Sequence, residues 1–326
     1  MTKKVNWGII GLGKIAHKFA RDLNLSEGAN LQAVASRSAE KAEVFAKTFQ
    51  ALSFYCSYQE LLNDASVDIV YIALPNSQHC EFSMLALQSG KAVLCEKPLG
   101  LNPKEVLGLQ AEARRRNLFL MEGLWTRFIP ATQKVLQIIE QGIIGEVISL
   151  QADFGFKALF NPNSRLFAPS LGGGSLLDIG LYPLYLSLLV LGEADNVKGF
   201  ARFGETGVDI QCQMLLQYSN GALAHLESSF EANTPTEACI YGNKGFIKIH
   251  SRFHHSEKLS LVLNDGTKED FEIKFRGYGY VHEIESVNQS ILHGLIENQL
   301  LSHNESLKLA QLIARVKTEI TPTATD

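Results

Sequence analysis

Six residues that read as a short buried strand, Val5-Asn6-Trp7-Gly8-Ile9-Ile10, run straight into Gly11-x-Gly13-x-x-Ala16, and a helical pattern begins at Lys14. A strand that turns on glycines into a helix leaves few folds open to a chain. Gly11 allows the tight turn, and Gly13 lets the backbone come close to a pyrophosphate. Ala16 is small enough for helix and strand to pack closely. The uncapped N–H groups of the first helical turn, with Lys14 and Ile15 among them, then face the phosphates with the positive end of the helix dipole. A glycine-rich turn in an unrelated α/β protein would share the glycines but not this strand–turn–helix context.

The rhythm that follows supports the same fold. Strands are predicted over residues 31–35, 68–74, 91–96 and 118–122, and helices over 14–23, 39–48, 58–62, 78–89 and 103–116. Residues 68–74 are almost unbroken in apolar character, as a parallel strand covered on both faces requires. Regular β/α alternation predicts a doubly wound parallel sheet, a Rossmann domain over residues 1–123. The pattern then changes. A helix over 130–141, a strand over 147–156 and a helix over 174–191 precede short alternating runs. Those runs are punctuated by Ser219-Asn220-Gly221, Gly242-Asn243-Lys244-Gly245 and Asn264-Asp265-Gly266. Such turn signals predict hairpins. Residues 124–326 therefore read as an α+β domain with a large, mostly antiparallel open sheet. Two helices close it, over 281–298 and 305–320, the second with a Ser302-x-x-Glu305 capping box.

Composition removes several functions. Lys and Arg total 30 against 34 Asp and Glu, a net charge of −4, so no basic surplus is available for a nucleic acid. Five scattered cysteines contain no C-x-x-C pair, which predicts neither a disulfide framework nor a zinc knuckle and suits a reducing cytoplasm. His79, His225, His282 and His293 lack metal-ligand spacing, and no metal is expected. The apolar run after Met1-Thr2-Lys3-Lys4 is broken by Lys14, His17, Lys18 and Arg21, unlike a signal peptide. The longest later apolar run, Leu181 to Leu191, falls short of the ~20 residues a membrane span needs.

Cofactor choice is written at the end of the second strand. An NAD enzyme usually carries Asp or Glu there to accept from the ribose 2′-hydroxyl. This chain has Ala35-Ser36-Arg37-Ser38 instead. No carboxylate repels a 2′-phosphate, while Ser36, Arg37 and Lys41 can bind one, so NADP is expected.

Two further segments carry chemistry. Lys91-Ala92-Val93-Leu94-Cys95-Glu96-Lys97-Pro98 ends a predicted strand at the ligand-binding edge of the sheet. Gly172-Gly173-Gly174-Ser175 leads into a helix on which Asp178 and Tyr182, four residues apart, share a face. With the glycine loop, these segments resemble the glucose-fructose oxidoreductase, inositol dehydrogenase and MocA (Gfo/Idh/MocA) family over essentially the whole chain. Leu74-Pro75-Asn76-Ser77-Gln78-His79, Met121-Glu122-Gly123-Leu124-Trp125-Thr126-Arg127-Phe128 and Glu205-Thr206-Gly207-Val208-Asp209 add to the likeness. It is closest to the trans-1,2-dihydrodiol and D-xylose dehydrogenase branch.

The resemblance implies a role for each segment. Lys97 reaches a substrate hydroxyl and the nicotinamide ribose, with Pro98 cis. Tyr182 is the acid/base and Asp178 orients substrate hydroxyls. Leu74, Pro75, Asn76 and His79 line the nicotinamide side with Glu96 nearby, and Trp125, Arg127 and Phe154 border the substrate. It also implies a homodimer or higher homo-oligomer through the open sheet. Physical chemistry supports the central pair. A free Tyr has a pKa of about 10, too high for a base at neutral pH. A neighbouring ammonium favours the phenolate and steadies a developing alkoxide. Ordinary readings stand beside these: Asp178 also suits the start of a helix, and Trp125 and Phe154 also suit a core. His254-His255 and Arg114-Arg115-Arg116 read as surface residues. The expected activity is hydride transfer to or from a sugar, polyol or trans-dihydrodiol. The alternative is a non-catalytic protein of the same fold that senses dinucleotides, which needs the glycine loop but not Lys97 and Tyr182.

Overall fold

The computed structural model describes residues 4–321; the Met1-Thr2-Lys3 opening lies outside them. The chain forms two compact units. The first runs up to Phe128 and takes in Phe275–Leu307, and the second holds Ile129–Lys274 and the stretch from Lys308 onward.

The first unit is built on six parallel strands: β1 (Val5–Ile10), β2 (Ala29–Ala35), β3 (Ser53–Tyr55), β4 (Ile69–Ile72), β5 (Ala92–Glu96) and β6 (Leu120–Gly123). Their order is β3-β2-β1-β4-β5-β6. Trp7, Ile9 and Ile10 of β1 and all four residues of β4 are buried, as sheet centre demands. The helices are α1 (Lys14–Leu23), α2 (Ala39–Phe49), α3 (Tyr58–Asn63), α4 (His79–Gln88) and α5 (Pro103–Arg116). Strand order reverses between β1 and β4, so the crevice outside their carboxyl ends is the natural ligand site. β3 was not foreseen. It has three residues, too few for a periodic signal, and it exposes Phe54 at the sheet edge.

The second unit contains α6 (Pro130–Glu140), β7 (Val147–Gly155), α7 (Leu181–Leu191), β8 (Asn196–Phe203), β9 (Asp209–Gln217) and β10 (Leu223–Ser229). It continues with β11 (Ala238–Gly242), β12 (Gly245–Ile249), β13 (Lys258–Leu263) and β14 (Lys268–Glu272). The sheet runs β14-β13-β12-β11-β7-β10-β9-β8, antiparallel except where β10 lies parallel to β7. All three turn signals fall between paired strands, at β9–β10, β11–β12 and β13–β14. α7 packs against β7 and β10. One sheet face exposes Phe200, Leu215 and Leu223. The apolar stretch is longer than its sequence suggested. Pro169–Leu191 is long and apolar enough to cross a membrane, yet most of it is buried in this unit as a core helix.

The chain then returns. Phe275–Leu307, assigned by the sequence to the second domain, belongs to the first unit through α8 (Tyr280–Leu292) and the start of α9 (His303–Ile320). The cause is specific pairing. The buried Asp22 carboxylate of α1 accepts the backbone N–H groups of Tyr278 and Tyr280, each at 2.9 Å. The Trp7 indole donates to Asn288 at 2.9 Å, and Arg276 donates to the Leu25 carbonyl at 2.8 Å. No local periodicity announces contacts across some 250 residues.

Candidate active site

In the first unit the glycine loop is sterically compelled. Gly11 sits at φ +88°, where a Cβ would lie 2.6 Å from the Ala73 carbonyl oxygen. Gly13 differs: it is exposed, it starts α1, and a Cβ there would meet nothing within 4 Å. Among the described residues no side chain caps the helix at this point. Lys14 is exposed and Ile15 half-buried beside it. A pyrophosphate fits such a cradle. At the end of β2, Ser38 caps α2 by accepting from the Lys41 N–H, Ser36 accepts from the Ser38 N–H, and Arg37 and Lys41 are exposed.

The ends of β4, next to β1, and of β5, beyond β4, lie along the same edge of the sheet. Leu74, Pro75 and Asn76 are half-buried after β4, and the Lys97–Pro98 peptide after β5 is cis, as the resemblance implied. Glu96 accepts the Tyr71 hydroxyl and, at 3.3 Å, the Lys97 N–H. Burial and the Glu96 charge hold the Tyr71 phenol well above its ordinary value. His79 does not stand with its loop neighbours at the surface. It is 1% exposed, and its ring nitrogens lie 2.7 Å from the Pro98 carbonyl and 2.9 Å from the Leu74 carbonyl. Burial pushes its pKa down, against the pull of those two carbonyls. His79 therefore joins the two loops from behind. Trp125 stacks on Tyr280, centroids 4.5 Å apart and planes 8° from parallel, and Arg127 donates to the Leu300 carbonyl at 2.7 Å.

The second unit carries Asp178 and Tyr182. Residues Leu176–Gly180 form a π-turn that leads into α7. Pro183 accounts for the widening, because it has no N–H to give the preceding turn and its ring clashes with the carbonyl four residues back. Gly174, at φ +119°, faces the Asp209 carboxylate, and a Cβ would come within 2.4 Å of it. Asp209 accepts the Leu176 N–H at 2.7 Å and the Ser175 hydroxyl at 2.8 Å, anchoring the start of this helix. Its own pKa is raised by burial. Asp178 is buried and accepts from Arg165 at 2.6 Å, which ties it to the preceding loop. Tyr182 is buried among aromatic rings: Phe154 at 5.7 Å and His254 at 4.9 Å between centroids. His254 also stacks on Phe154 at 4.4 Å. The surface expectation for His254 is thus corrected: it is 7% exposed, because the residues after β12 fold back as a short turn over Phe154. Arg165 and Asp209 carry no sequence signal as site residues, although Asp209 lies in the Glu205-Thr206-Gly207-Val208-Asp209 segment that adds to the resemblance.

Comparison with known proteins fits this architecture. Residues 5–124 match the oxidoreductase family model with an NAD-binding Rossmann fold, and residues 132–248 match the GFO/IDH/MocA C-terminal domain. The chain belongs to the GFO/IDH/MocA oxidoreductase family. It is 36% identical to a trans-1,2-dihydrobenzene-1,2-diol dehydrogenase of Xenopus tropicalis, over 94% of this chain and 95% of that one. The Mus musculus enzyme of the same description is 34% identical over 97% of each. Among solved structures, a 3-ketoreductase from Actinomadura kijaniata in complex with NADP and TDP-benzene superposes with a TM-score of 0.88. It shares 28% identity and covers 98% of both chains. As a GFO/IDH/MocA member the chain is an oxidoreductase with a nicotinamide-dinucleotide-binding Rossmann domain.

Proposed function

We propose that this GFO/IDH/MocA member is an NADP-dependent dehydrogenase acting on the CH–OH or C=O group of a sugar, polyol or trans-dihydrodiol, with Tyr182 as acid/base and Lys97 as its electrostatic partner. The observation that carries the proposal is the position of Lys97 directly after β5, at the carboxyl edge of the parallel sheet, in a chain that also keeps a buried tyrosine on its Gly-Gly-Gly helix. When bound, the nicotinamide accepts or supplies the hydride. The chain's own task is the proton. Tyr182 takes it from the carbinol in oxidation and returns it to the carbonyl oxygen in reduction, and the Lys97 ammonium favours the phenolate that does so. Asp178, held by Arg165, accepts from substrate hydroxyls, while Trp125, Arg127 and Phe154 border the substrate. NADP over NAD is supported by Arg37, Ser36 and Lys41 at the end of β2, where no carboxylate stands. It is also supported by the NADP bound in the Actinomadura relative.

A homo-oligomer is inferred from the open sheet face that exposes Phe200, Leu215 and Leu223. A cytoplasmic setting is inferred from five free cysteines. The test of function is turnover of trans-1,2-dihydrobenzene-1,2-diol and a panel of aldoses and polyols, followed by NADPH absorbance. Lys97→Ala and Tyr182→Phe are each expected to lose at least about a hundredfold in kcat. Full activity in either variant refutes the assignment, and NADPH binding without turnover of any substrate favours the sensing role.

A further inference from the structure

The turn that carries Lys97 is gripped from behind by a residue outside the dinucleotide loops. Glu122 lies in β6 opposite Cys95 of β5, and only 3% of it is exposed. Its Oε1 accepts the backbone N–H of Leu99 at 2.9 Å, two residues beyond Lys97. Leu99 is itself buried. The fit between strands is close: a Cβ on Gly123 would come within 3.1 Å of the Cys95 carbonyl oxygen and 3.4 Å of Glu96 Cα. A carboxyl group is an expensive way to accept one N–H in a buried place, since an amide or an ordered water would do so without a desolvated charge.

We propose that Glu122 is a positioning residue for the site: from β6 it holds Leu99 and thereby sets the turn that presents Lys97. The inference rests on the role of Lys97 proposed above. It also makes the hold depend on pH. Burial pushes the Glu122 carboxyl up to about 7, and nearby Glu96 adds to the rise, while the Leu99 N–H, the Ser306 hydroxyl and the Lys97 ammonium oppose it. The other titratable groups near β6 include the Cys95 thiol opposite Glu122, held well above its ordinary value by burial, His303 of α9, whose Nε2 lies 3.0 Å from the Leu120 carbonyl, and Glu297 next to it. Glu283 of α8 faces Glu96 and is held well above its usual value by burial. An ionised carboxylate accepts a hydrogen bond roughly twice as strongly as a neutral acid. The grip on Leu99 therefore tightens as pH rises through about 7.

Glu122→Gln and Glu122→Leu test this without cofactor or substrate, by hydrogen exchange of the peptide covering residues 92–101 relative to its intrinsic rate. Glu122→Leu is expected to speed exchange near Leu99 about tenfold. Glu122→Gln keeps an acceptor, so it is expected to retain most protection at about pH 6 but to lack the further gain that the wild type shows by about pH 8. NADPH affinity, followed by cofactor fluorescence, is expected to weaken in the same order. Equal protection in all three proteins at both pH values overturns the proposal. Lys97→Ala assayed alongside separates the two ideas. If Lys97→Ala is inactive while Glu122→Leu matches wild-type kcat/KM, only the positioning role fails. If Lys97→Ala is fully active, the role of Lys97 fails even where Glu122 still governs exchange at Leu99.

Discussion

Asp209 offers the sharpest test of how the candidate acid/base is held. Its carboxylate receives the Leu176 N–H at 2.7 Å, the Ser175 hydroxyl at 2.8 Å and the Cys212 thiol at 3.3 Å, at the start of the helix that bears Asp178 and Tyr182. Asp209→Ala removes all three acceptor contacts. The lost helix-start contact costs about 1–2 kcal/mol, and an N–H left stranded in a buried site costs about 1–3 kcal/mol, part of which is the same contact counted again. The hydroxyl counts for little, because Ser175 can turn to Ser228, whose oxygen lies 3.0 Å away. Burial of the carboxylate, which raises its pKa, offsets some of the gain from keeping it. A net loss of about 2–3 kcal/mol follows. For a unit of this size that lowers the melting temperature by roughly 5–10 °C. Differential scanning calorimetry reads the shift, and hydrogen exchange of the peptide spanning residues 174–183 localises it. Asp209→Asn keeps one acceptor and is expected to lose about half as much. Both variants melting within about 1 °C of wild type, with unchanged exchange at Leu176, would show that the helix is anchored elsewhere.

Three other perturbations have defined outcomes. Gly11→Ala puts a Cβ 2.6 Å from the Ala73 carbonyl at φ +88°, so a loss of about 1–3 kcal/mol in urea unfolding and a collapse of NADPH binding are expected; a stable, binding-competent variant would mean the turn relaxes freely. Arg37→Ala, at an exposed position, is expected to weaken NADPH about tenfold and leave NADH unchanged in a fluorescence titration. Parallel losses for both cofactors would remove the 2′-phosphate contact. Glu122, raised from 4.5 to about 7, keeps its proton in the folded protein over a range where the unfolded chain has lost it. Its stabilising contribution is therefore complete below about 4.5 and lost as pH rises to about 7, a change of about 3 kcal/mol. Both tryptophans, Trp7 and Trp125, sit in the first unit. Urea unfolding followed by their fluorescence is expected to show wild type losing stability between about pH 5 and pH 8 while Glu122→Gln is flatter; equal slopes would contradict the raised carboxyl.

The parts of this molecule legible from sequence are those whose causes are local. Gly11 needs positive φ, the strand before it alternates with a helix after it, and hairpins follow Asn-Gly and Asp-Gly signals; each is decided within a dozen residues. The parts missed are decided at long range. Asp22 and Tyr280 meet only after the chain has gone out and come back. His254 has no neighbour in sequence that would mark it as buried, and its partners Phe154 and Tyr182 are roughly 100 and 70 residues away. Asp178 and Tyr182 do share one helix, but the turn between them is widened, and Pro183, visible in the sequence, is the reason in hindsight. In the sequence Glu122 is only one residue of the Met121–Phe128 segment. Its significance comes from Leu99, which reaches it across a strand pair.

The return of Phe275–Leu307 has a consequence for biosynthesis. The Asp22 carboxylate and Trp7 indole of the first unit wait for partners encoded more than 250 codons later. While the ribosome is still translating the second unit, the nascent first unit leaves Asp22 open to water and an apolar flank bare where α8 will dock. Such a segment needs shelter until Phe275–Leu307 emerges, and a fragment cut after Phe128 encodes an aggregation-prone torso and not a minimal domain.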